Sequence, residues 1–579
     1  MSIPQHSEKR SAAHYFLEGL ADLGIEYVFA NLGTDHVSII EELARWDLAG
    51  RPHPEFILCP HENVCMHMAA GFAALTGRGQ AVMVHVDAGT ANSVMGMHNM
   101  FRARLPVMLI AGKAPFTIRG ELDGSRDNYV HFVQDPFDIA SLVRPYVKWE
   151  YSLPSGVIAK EVLRRGHSMM QSDPQGPVYL TLPREVLAES LATEEVRTFS
   201  SQRYGPVMAG GIDDTRAQAV AHQLMTAQQP IAVTSYLGRN PEAVGAFEDL
   251  AMLCGIQVFE FNPSFLCIPR HSPCFGGFDA SGAMRGADTG LLLDVDVPWL
   301  PKFVQDNPET RWTHIDVDPI KKDFPMWGFA TDVRVQADCA KVLSQVAEIV
   351  RAQANEEFHL RVAKRVASWA GPREERLGLV DKAAKNPGQV GAISPAFLCA
   401  AIGQAISEED IVINEAIRNT FSVLNQIPRS RPHTLLCAAG GGLGYSGGMA
   451  LGAKLANPSV RVVQIVGDGG FHFSTPTSVY ATAQRHNLPI FTVVLDNGGW
   501  QAVKEAVLRI YPDGSAAQSN EFQSRLQGQH RHFEQVAEAF GAYGEYLSDP
   551  SETHAAIARC LRAVDSGQSA VLNVQIGLQ

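Results

Sequence analysis

The sequence predicts an α/β protein built from three doubly wound parallel-sheet domains. Short apolar runs of strand length alternate with longer segments of helical periodicity along the chain. The runs 81–86 and 106–111 are apolar almost throughout, which is typical of strands covered by helices on both faces. A length of 579 residues is sufficient for three or four domains, and the pattern favours three.

The first domain is predicted over residues 1–195. Residues 11–23 carry apolar side chains at helical spacing, and a short strand-like run follows at 27–30. The two apolar strands named above continue the alternation. A linker rich in Ser and Gly, over 196–212, ends this domain.

Two further domains, a central one at 210–350 and a C-terminal one at 390–579, repeat the same alternation. A charged segment between them, 356–386, is predicted to be helical, and a Pro-Gly turn follows it. The predicted strands of these two domains are 230–235, 257–261, 290–295, 311–317, 410–414, 460–466, 489–495 and 570–576.

Composition excludes several classes of protein. The chain has 48 Lys and Arg against 61 Asp and Glu, a net charge of −13, which disfavours a nucleic-acid partner. Nine scattered cysteines without a C-x-x-C pair favour a reducing compartment. Residues 1–10 are polar and lack the core of a signal peptide, and the apolar run 107–111 is too short to span a bilayer. We therefore expect a cytoplasmic protein with no membrane partner.

The segment 466–470 (VGDGG) directly follows an apolar strand. Its glycines allow backbone amides to approach phosphates, and the Asp468 carboxylate suits Mg²⁺. Ligand sites in open α/β sheets lie at this end of the strands. Clusters of Gly and Asp also mark ordinary turns, so this motif alone leaves both interpretations open.

The following strand ends at Asn497, 29 residues after Asp468, with one helix and one strand between them. Both residues therefore lie at the same sheet edge, and together they predict a magnesium–diphosphate clamp. Asp468, the Asn497 side-chain oxygen and the Gly499 carbonyl are the expected metal ligands. The expected diphosphate-binding glycines are Gly467, Gly469 and Gly470.

The Gly-Asp-Gly motif followed by a helix, a strand and Asn resembles the signature of thiamine diphosphate-dependent enzymes. Residues 60–73 resemble the helix that carries the family's activating glutamate, which implies that Glu62 contacts the aminopyrimidine ring. Residues 439–452 resemble the loop that holds the cofactor bent. The match implies that the Gly441 carbonyl binds the amino group and that Leu443 lies between the two rings.

The acetolactate synthase-like and benzoylformate decarboxylase-like branch fits best. His85 follows Glu62 by 23 residues, the offset of a catalytic histidine in benzoylformate decarboxylases, although a core histidine remains an alternative. Asp87 is expected to polarise His85 or contact the substrate. Thr34 matches a loop with a small polar substrate contact, and Gln134 resembles part of the F-Q-E segment of acetolactate synthases.

Several other polar residues have open roles. His36 lies near the expected pocket, and Lys113 and Arg126 are either carboxylate ligands or solvated charges. Asp294 and Asp296 end a central strand, and two acids do not favour an anionic flavin or a CoA pyrophosphate there. FAD is therefore not expected, and whether the central domain binds a nucleotide is left open.

The resemblance implies a lyase or transferase that uses thiamine diphosphate and Mg²⁺ on a 2-oxo acid, a decarboxylase/carboligase similar to acetolactate synthases. Three alternatives remain: acetolactate synthase proper, a lyase of 2-hydroxy ketones or 2-hydroxyacyl-CoA, and a non-catalytic cofactor-binding protein. The family places Glu62 and Asp468 of one site on different subunits. A homodimer is the minimum expected assembly, and a homotetramer is the commoner one.

Overall fold

The computed structural model describes residues 9–437, 439–526 and 531–577. Three sheets of six parallel strands each confirm the predicted fold class. Counted along the chain within each sheet, the two outer sheets share the strand order 2-1-3-4-6-5, and the central sheet has the order 3-2-1-4-5-6. None of the described helices is long and apolar enough to cross a bilayer. Residues 1–8, which belong to the polar N-terminal segment without a signal-peptide core, lie outside the described ranges.

The N-terminal sheet has the order β3-β2-β4-β5-β7-β6, and a short antiparallel pair, β1 with β8, adjoins it. The elements are β1 (Lys9–Ser11), α1 (Ala12–Asp22), β2 (Tyr27–Asn31), α2 (Val37–Leu48), β3 (Glu55–Leu58), α3 (Glu62–Thr76), β4 (Gln80–Val84), α4 (Val86–Ala103), β5 (Val107–Lys113), α5 (Val130–Val133), β6 (Glu150–Ser152), α6 (Ala159–Gln171), β7 (Val178–Pro183), α7 (Arg184–Ala188) and β8 (Ser190–Ala192).

The central sheet has the order β11-β10-β9-β12-β13-β14, and the charged segment that follows it forms two helices, α12 and α13. The elements are α8 (Asp214–Thr226), β9 (Pro230–Thr234), α9 (Pro241–Cys254), β10 (Gln257–Glu260), β11 (Phe275–Gly277), α10 (Ser281–Met284), β12 (Thr289–Leu293), β13 (Arg311–Asp316), β14 (Val333–Gln336), α11 (Cys339–Gln353), α12 (Glu356–Ser368) and α13 (Ala370–Ala384).

The C-terminal sheet has the order β18-β17-β19-β20-β22-β21, and β15 and β16 form a short antiparallel pair before it. The elements are β15 (Gly388–Gln389), β16 (Ala392–Ile393), α14 (Pro395–Ala405), β17 (Ile411–Glu415), α15 (Thr420–Gln426), β18 (Leu435–Cys437), α16 (Ser446–Ala456), β19 (Val462–Gly467), α17 (Asp468–Phe473), α18 (Pro476–His486), β20 (Phe491–Asp496), α19 (Gln501–Ile510), α20 (Ser515–Ser519), α21 (Phe533–Glu538), β21 (Tyr543–Leu547), α22 (Thr553–Asp565) and β22 (Ala570–Gln575).

Helices α3 and α16 join the N-terminal and C-terminal domains through one apolar core, to which Met66 and Ala450 contribute. His67 is buried in this contact. Its Nδ1 donates to the Asn63 carbonyl at 2.9 Å, and its Nε2 accepts from the Asn99 amide at 3.2 Å. Burial lowers the pKa of His67 to about 4, so the imidazole is neutral at neutral pH. The core thereby fixes the beginning of α3 relative to the C-terminal domain.

Candidate active site

The carboxyl ends of β2 and β4 bring the predicted activating carboxylate and the predicted catalytic histidine to one sheet edge. Asn31 ends β2 and pairs in register with Val84, the residue before His85. Asn31 Nδ2 donates to Glu62 Oε1 at 3.2 Å, and Asn92 Nδ2 of α4 donates to Oε2 at 3.0 Å. Glu62 is only 6% exposed. Each of its two oxygens therefore has a fixed partner. The sequence did not predict a role for either asparagine.

The loop before α16 lies against the beginning of α3 in the same chain. Asn63, the neighbour of Glu62, donates its side-chain N–H to the Gly444 carbonyl at 3.1 Å. The Asn99 amide of α4 binds both backbone groups of Gly442, at 3.0 and 3.1 Å. One chain therefore brings the Glu62 end of α3 next to this glycine-rich loop.

The two cofactor-contacting residues expected in this loop lie at its open side. Gly441 is exposed and Leu443 is half-buried. His98 Nε2 donates to the Gly440 carbonyl at 2.8 Å, which fixes the backbone just before them. The loop geometry is thus set by side chains of α4, whereas the residues expected to contact a ligand remain accessible.

Glu415, at the end of β17, is a buried carboxylate that binds the other side of the same loop. Its Oε1 accepts from the Gly444 N–H at 2.5 Å, and its Oε2 accepts from the Ser446 N–H at 3.0 Å and the Ser446 hydroxyl at 2.5 Å. Burial raises the pKa of Glu415 to about 7, against these hydrogen bonds. The sequence analysis missed it, although an acid ending an apolar strand was visible.

His85 lies between a buried aspartate and an amide. Its Nδ1 donates to Asp35 Oδ1 at 2.6 Å, and its Nε2 contacts Gln134 Oε1 at 3.0 Å. Asp35 belongs to the 3-10 turn Thr34–His36 after β2 and is 1% exposed, whereas the His85 side chain is 24% exposed. Both ring N–H groups have an acceptor when the imidazole carries its charge.

The two partners stabilise each other's charged form. The hydrogen bond to Asp35 raises the pKa of His85, and the Asp35 charge adds to this against the effect of burial. Burial alone would raise the pKa of Asp35. The charge and hydrogen bonds of His36 and His85 outweigh it and hold that pKa well below its usual range.

Two glycines make room for this pair. A Cβ at Gly112 would lie 1.4 Å from Asp35 Oδ2, and a Cβ at Gly33 would lie 2.1 Å from His85 Nδ1. Neither position accommodates a side chain without moving the aspartate or the imidazole. The contact between Asp35 and His85 therefore depends on both glycines.

The carboxylate that binds His85 is not the nearest one in sequence. Asp87 Oδ1 accepts from the Ala88 N–H at 2.9 Å in the first turn of α4, while Asp35 accepts from the imidazole. Val86, between them, has a φ of 24°, and its N–H donates to Asp35 Oδ2 at 3.3 Å. A β-branched residue rarely adopts such a φ, so the backbone is strained where α4 begins.

Thr34 has a second histidine beside it. Its hydroxyl lies 3.4 Å from His131 Nε2. Burial lowers the pKa of His131, and the charge of Arg184 adds to the effect. His131 is therefore a neutral imidazole at neutral pH, and its pKa is shifted in the direction opposite to that of His85. The sequence offered no repeat or spacing that singled it out.

The remaining polar candidates differ in their burial and in their partners. His36 is fully buried, and its Nδ1 lies 3.1 Å from Asp35 Oδ1 and 3.2 Å from the Gly33 nitrogen. Arg126 is paired with Asp135 at 2.5 Å, so its charge is already compensated within its own loop. Lys113 is half-buried at the end of β5, the strand next to β4.

The loops after β19 and β20 meet at the C-terminal sheet edge. Asp468 Oδ1 accepts from the Gly469 N–H at 2.8 Å, and its Oδ2 accepts from the Gly498 N–H at 2.9 Å. Asn497 Oδ1 accepts from the Gly499 N–H at 3.1 Å. The residues expected to form the metal clamp are thus brought together, with the expected diphosphate-binding glycines 467, 469 and 470 beside Asp468.

Asp496 adds a second carboxylate to this edge. Its Oδ1 accepts from the same Gly498 N–H at 3.1 Å, and Arg531 pairs with it at 2.5 Å. Burial raises the pKa of Asp468 to about 7, and the Asp496 charge adds to the effect. Arg531 thus compensates the charge of Asp496 beside the expected metal ligands.

The donor set fits a divalent cation. Asp468 and Asn497 supply side-chain oxygens and Gly499 supplies a carbonyl, all of them hard ligands suited to Mg²⁺. Two carboxylates converge on one N–H here, which leaves negative charge for a cation to compensate. Within the described ranges no cluster of three His, Cys, Asp or Glu side chains forms another metal site.

The acids of the central domain are part of an internal ion network. Asp296 pairs with Arg104, just after α4, at 2.7 Å and with Lys321 at 2.9 Å, and Lys321 also pairs with Asp316 at 2.6 Å. Burial raises the pKa of Asp294 to about 7, with the Asp316 charge adding to it. These side chains occupy the carboxyl ends of β12 and β13, beside the switch point at which open α/β sheets bind ligands.

Two family models match the chain and agree with this geometry. The thiamine pyrophosphate enzyme N-terminal TPP binding domain matches residues 10–142, and the C-terminal TPP binding domain of the same enzymes matches residues 419–574. The first range includes Glu62 and His85, and the second includes the glycine-rich loop before α16 and Asp468. Fold and site together define a thiamine diphosphate-dependent enzyme.

Similar proteins of known name cover nearly the whole chain. The acetolactate synthase isozyme 3 large subunit of Escherichia coli (strain K12) is 22% identical over 98% of this chain and 95% of its own length. A benzoylformate decarboxylase of Pseudomonas aeruginosa is 22% identical over 83% of this chain and 85% of its own. At this identity the relatives define the family and not the particular reaction.

Solved structures show the same fold. The thiamine diphosphate-dependent 4-hydroxybenzoylformate decarboxylase of Rhodococcus jostii RHA1 superposes with a TM-score of 0.77 at 18% identity, over 98% of this chain and all of that one. The benzoylformate decarboxylase of Polynucleobacter necessarius gives 0.78 at 17% identity, over 98% and 99% of the two chains. The chain belongs to the thiamine pyrophosphate enzymes, in the branch similar to acetolactate synthases and benzoylformate decarboxylases. It is an enzyme of the lyase or transferase type.

Proposed function

We propose that this enzyme breaks or forms a C–C bond at the 2-oxo carbon of a small 2-oxo acid, with thiamine diphosphate and Mg²⁺ as cofactors. The observation that carries the proposal is the placement of Glu62, which is held by two amides at the sheet edge that also carries His85 and adjoins the glycine-rich loop through Asn63. When bound, thiamine diphosphate supplies the carbanion that attacks a 2-oxo group and takes up the electrons of the broken bond.

Each half of the site has a separate task. Glu62 binds the aminopyrimidine ring. Asn31 and Asn92 orient its carboxylate for this contact at the sheet edge. The Gly441 carbonyl and the Leu443 side chain contact the cofactor held by their own C-terminal domain, and in the proposed dimer that cofactor meets Glu62 of the other subunit. These roles rest on the family resemblance and on this local geometry.

Asp468, Asn497 and Gly499 hold Mg²⁺ through oxygen ligands. The backbone of Gly467, Gly469 and Gly470 surrounds the diphosphate. The substrate binds at the carboxyl edge of the N-terminal sheet. There, His85 holds a proton at Nε2, Gln134 accepts from that nitrogen, and Thr34 and Asp87 lie at neighbouring positions for substrate contact.

Ligation to a second carbonyl compound is the second candidate reaction. The acetolactate synthase large subunits, which match nearly the full length, favour it. Decarboxylation with release of an aldehyde is favoured by His85, since a proton donor beside the reacting carbon competes with a second carbonyl. A 2-hydroxy ketone substrate is the reverse of the ligation and uses the same residues.

We propose a homodimer as the minimum assembly, with a homotetramer as the expected form. Apolar side chains are exposed near both halves of the site, Phe132, Val133 and Phe137 on the loop around Gln134, and Val503 and Ile510 on α19. Exposed apolar patches of this kind favour burial against another chain. In each subunit of the proposed assembly, the three domains span residues 1–195, 210–350 and 390–579.

We also propose a cytoplasmic location. All nine cysteines are free, and eight of them are buried, which suits a reducing compartment. Their pKa values support an inert role where burial raises them, as it does for Cys254 and Cys399, to about 12 in both cases.

The test combines cofactor binding with turnover. The purified protein is titrated with thiamine diphosphate at several Mg²⁺ concentrations, and the holoenzyme is then given a panel of 2-oxo acids and 2-hydroxy ketones with product analysis. Asp468→Asn should weaken Mg²⁺-dependent cofactor binding by at least about tenfold, because a charged ligand is lost. Asp513→Asn, on an exposed loop, is the matched control. Saturable binding without turnover of any compound contradicts the proposal and favours a non-catalytic cofactor-binding protein.

A further inference from the structure

We propose that Asp35 is a positioning residue that keeps His85 as an imidazolium with its Nε2–H directed into the substrate pocket. This commits the reaction to aldehyde release instead of ligation. The inference rests on the proposed function, which it deepens by naming the outcome at the reacting carbon. Asp35 itself touches no reacting atom, because it lies behind the imidazole.

The geometry fixes Asp35 from several sides. Its Oδ1 accepts from His85 Nδ1 at 2.6 Å, its Oδ2 accepts from the Val86 N–H at 3.3 Å, and Gly33 and Gly112 leave only enough room for the pair. A carboxylate that is 1% exposed and bound in this way cannot turn to solvent. The imidazole therefore has one orientation, with Nδ1 inward and Nε2 towards Gln134.

Several charged and polar groups surround the Asp35–His85 pair. Asp87 on α4 adds negative charge near His85, and Gln134 contributes a neutral acceptor. His36 lies against Asp35 on its own turn, and the neutral His131 of α5 is near both partners, with Arg184 and Asp127 beside it. The short contact with Asp35 is the largest influence on His85.

The proton step balances without a further reactant. After CO₂ leaves, the Nε2–H bond of His85 breaks and a C–H bond forms at the carbon that carried the carboxylate. The neutral imidazole then regains a proton from water, so that one 2-oxo acid anion and one proton give one aldehyde and CO₂. A protonated donor held at this carbon completes the step before a second carbonyl compound reacts there.

The central experiment compares Asp35→Asn with wild type over a range of pH. The holoenzyme, loaded with thiamine diphosphate and Mg²⁺, is given benzoylformate or pyruvate, and both the aldehyde and the 2-hydroxy ketone products are measured. The variant keeps the shape of the side chain and removes its charge. The loss of aldehyde formation at high pH should move down by about one pH unit or more, because a nearby opposite charge shifts a pKa by that amount. The ketone share should rise.

Asp47→Asn is the matched control. Asp47 Oδ1 contacts His53 Nε2 at 3.0 Å, so it is also an Asp–His pair, but the Asp47 side chain is on the surface at the far end of α2. Its loss should leave the pH profile and the product ratio as in wild type. A shift equal to that of Asp35→Asn would overturn the inference, since it would show a general charge effect.

A double-mutant cycle of Asp35→Asn and His85→Gln gives a readout without cofactor. Urea unfolding should show coupling between the two residues at pH 6, where the imidazole is charged. The pKa of His85 is raised in the folded protein, so the coupling is present below the unfolded-state pKa and is lost as the pH rises through the folded one. Equal coupling at pH 6 and pH 10 would overturn the proposal.

The outcomes separate this inference from the proposed function. Wild type that neither binds thiamine diphosphate nor turns over any compound contradicts the proposed function. Active wild type with an unchanged pH profile and product ratio in Asp35→Asn contradicts only the role of Asp35. If Asp35→Asn does not fold, the pH profile of His85→Gln decides the question. This variant lacks the titrating imidazole, so its aldehyde formation should no longer fall as the pH rises. Retention of that loss overturns the inference.

Discussion

The Asn99 side chain binds both backbone groups of Gly442, accepting from the N–H at 3.1 Å and donating to the carbonyl at 3.0 Å. The two residues are 343 positions apart and belong to the N-terminal and C-terminal domains of one chain. A single side chain therefore sets the backbone of the glycine-rich loop on which the proposed cofactor contacts depend.

Asn99→Asp should weaken thiamine diphosphate binding about tenfold or more. The change replaces the donor facing the Gly442 carbonyl with an oxygen, and a lost and opposed hydrogen bond costs about 1–3 kcal/mol. Calorimetric titration of the apoprotein measures the effect. Asn386→Asp is the control, because Asn386 is exposed and its side chain accepts from the Gly388 N–H, a hydrogen bond that Asp also accepts. Equal affinities of both variants would contradict the role of Asn99.

Glu62→Gln should retain cofactor binding and lose turnover by about 10²–10⁴-fold, the range of a positioned acid–base group. The variant preserves the size of a side chain that is held by Asn31 and Asn92. Steady-state kinetics with the best compound of the panel measures the loss. Glu41→Gln, which removes an exposed carboxylate paired with Arg45, should match wild type. Ordinary turnover by Glu62→Gln would remove the basis of the proposed mechanism.

The contact of α3 with α16 should weaken as the pH falls. The pKa of His67 is lowered to about 4, so the folded protein binds fewer protons there than the unfolded chain does between pH 4 and 6.5. The stability that His67 contributes is therefore lost on acidification, by about 2 kcal/mol between pH 7 and pH 5. Urea unfolding at the two pH values measures it.

His67→Gln should reduce this dependence on pH, because Gln does not titrate. His222→Gln, at an exposed position of α8, should keep it. The expectation is wrong if wild type and His67→Gln lose the same stability on acidification.

Lys321→Met should destabilise the central domain by about 3–5 kcal/mol, the usual cost of removing one partner of a buried ion pair. Lys321 is 1% exposed and pairs with both Asp296 and Asp316. The change leaves Asp316 without its lysine partner, whereas Asp296 keeps Arg104. Urea unfolding measures the difference. Lys382→Met, on the exposed face of α13, is the control and should stay near wild type. Similar midpoints for both variants would show that the network contributes little.

The strands that the sequence predicts and those it misses differ in their place in the sheet. The eleven predicted strands are all interior, where apolar side chains are needed on both faces. Six of the seven missed strands of the three large sheets are edges, namely β3, β6, β11, β14, β18 and β21, and β7 is the interior exception. The missed edge strands are only three to five residues long, and some of them carry a charged residue, as β21 does. Runs this short do not stand out from loops in the sequence.

The residues of the candidate site also differ in whether the sequence predicts their position. Asp468 and Asn497 each follow a predicted strand, so parallel topology alone places them at one edge. Asp35 lies 50 residues from His85 and ends no apolar run, and its role depends on a turn whose direction the sequence does not encode locally. Asp87 is two residues from His85, but the first turn of α4 carries its carboxylate towards its own backbone. Proximity along the chain was therefore a poor guide to contact.

Helix α4 has a consequence for any attempt to alter this enzyme. Its 18 residues span about 27 Å, and along that length it meets His85 at one end, Glu62 through Asn92, Gly442 through Asn99, and the central domain through Arg104. Substitutions on it will not combine additively, because each one moves the same rigid body. Libraries aimed at new substrates should vary the loop around Gln134 and leave this helix intact.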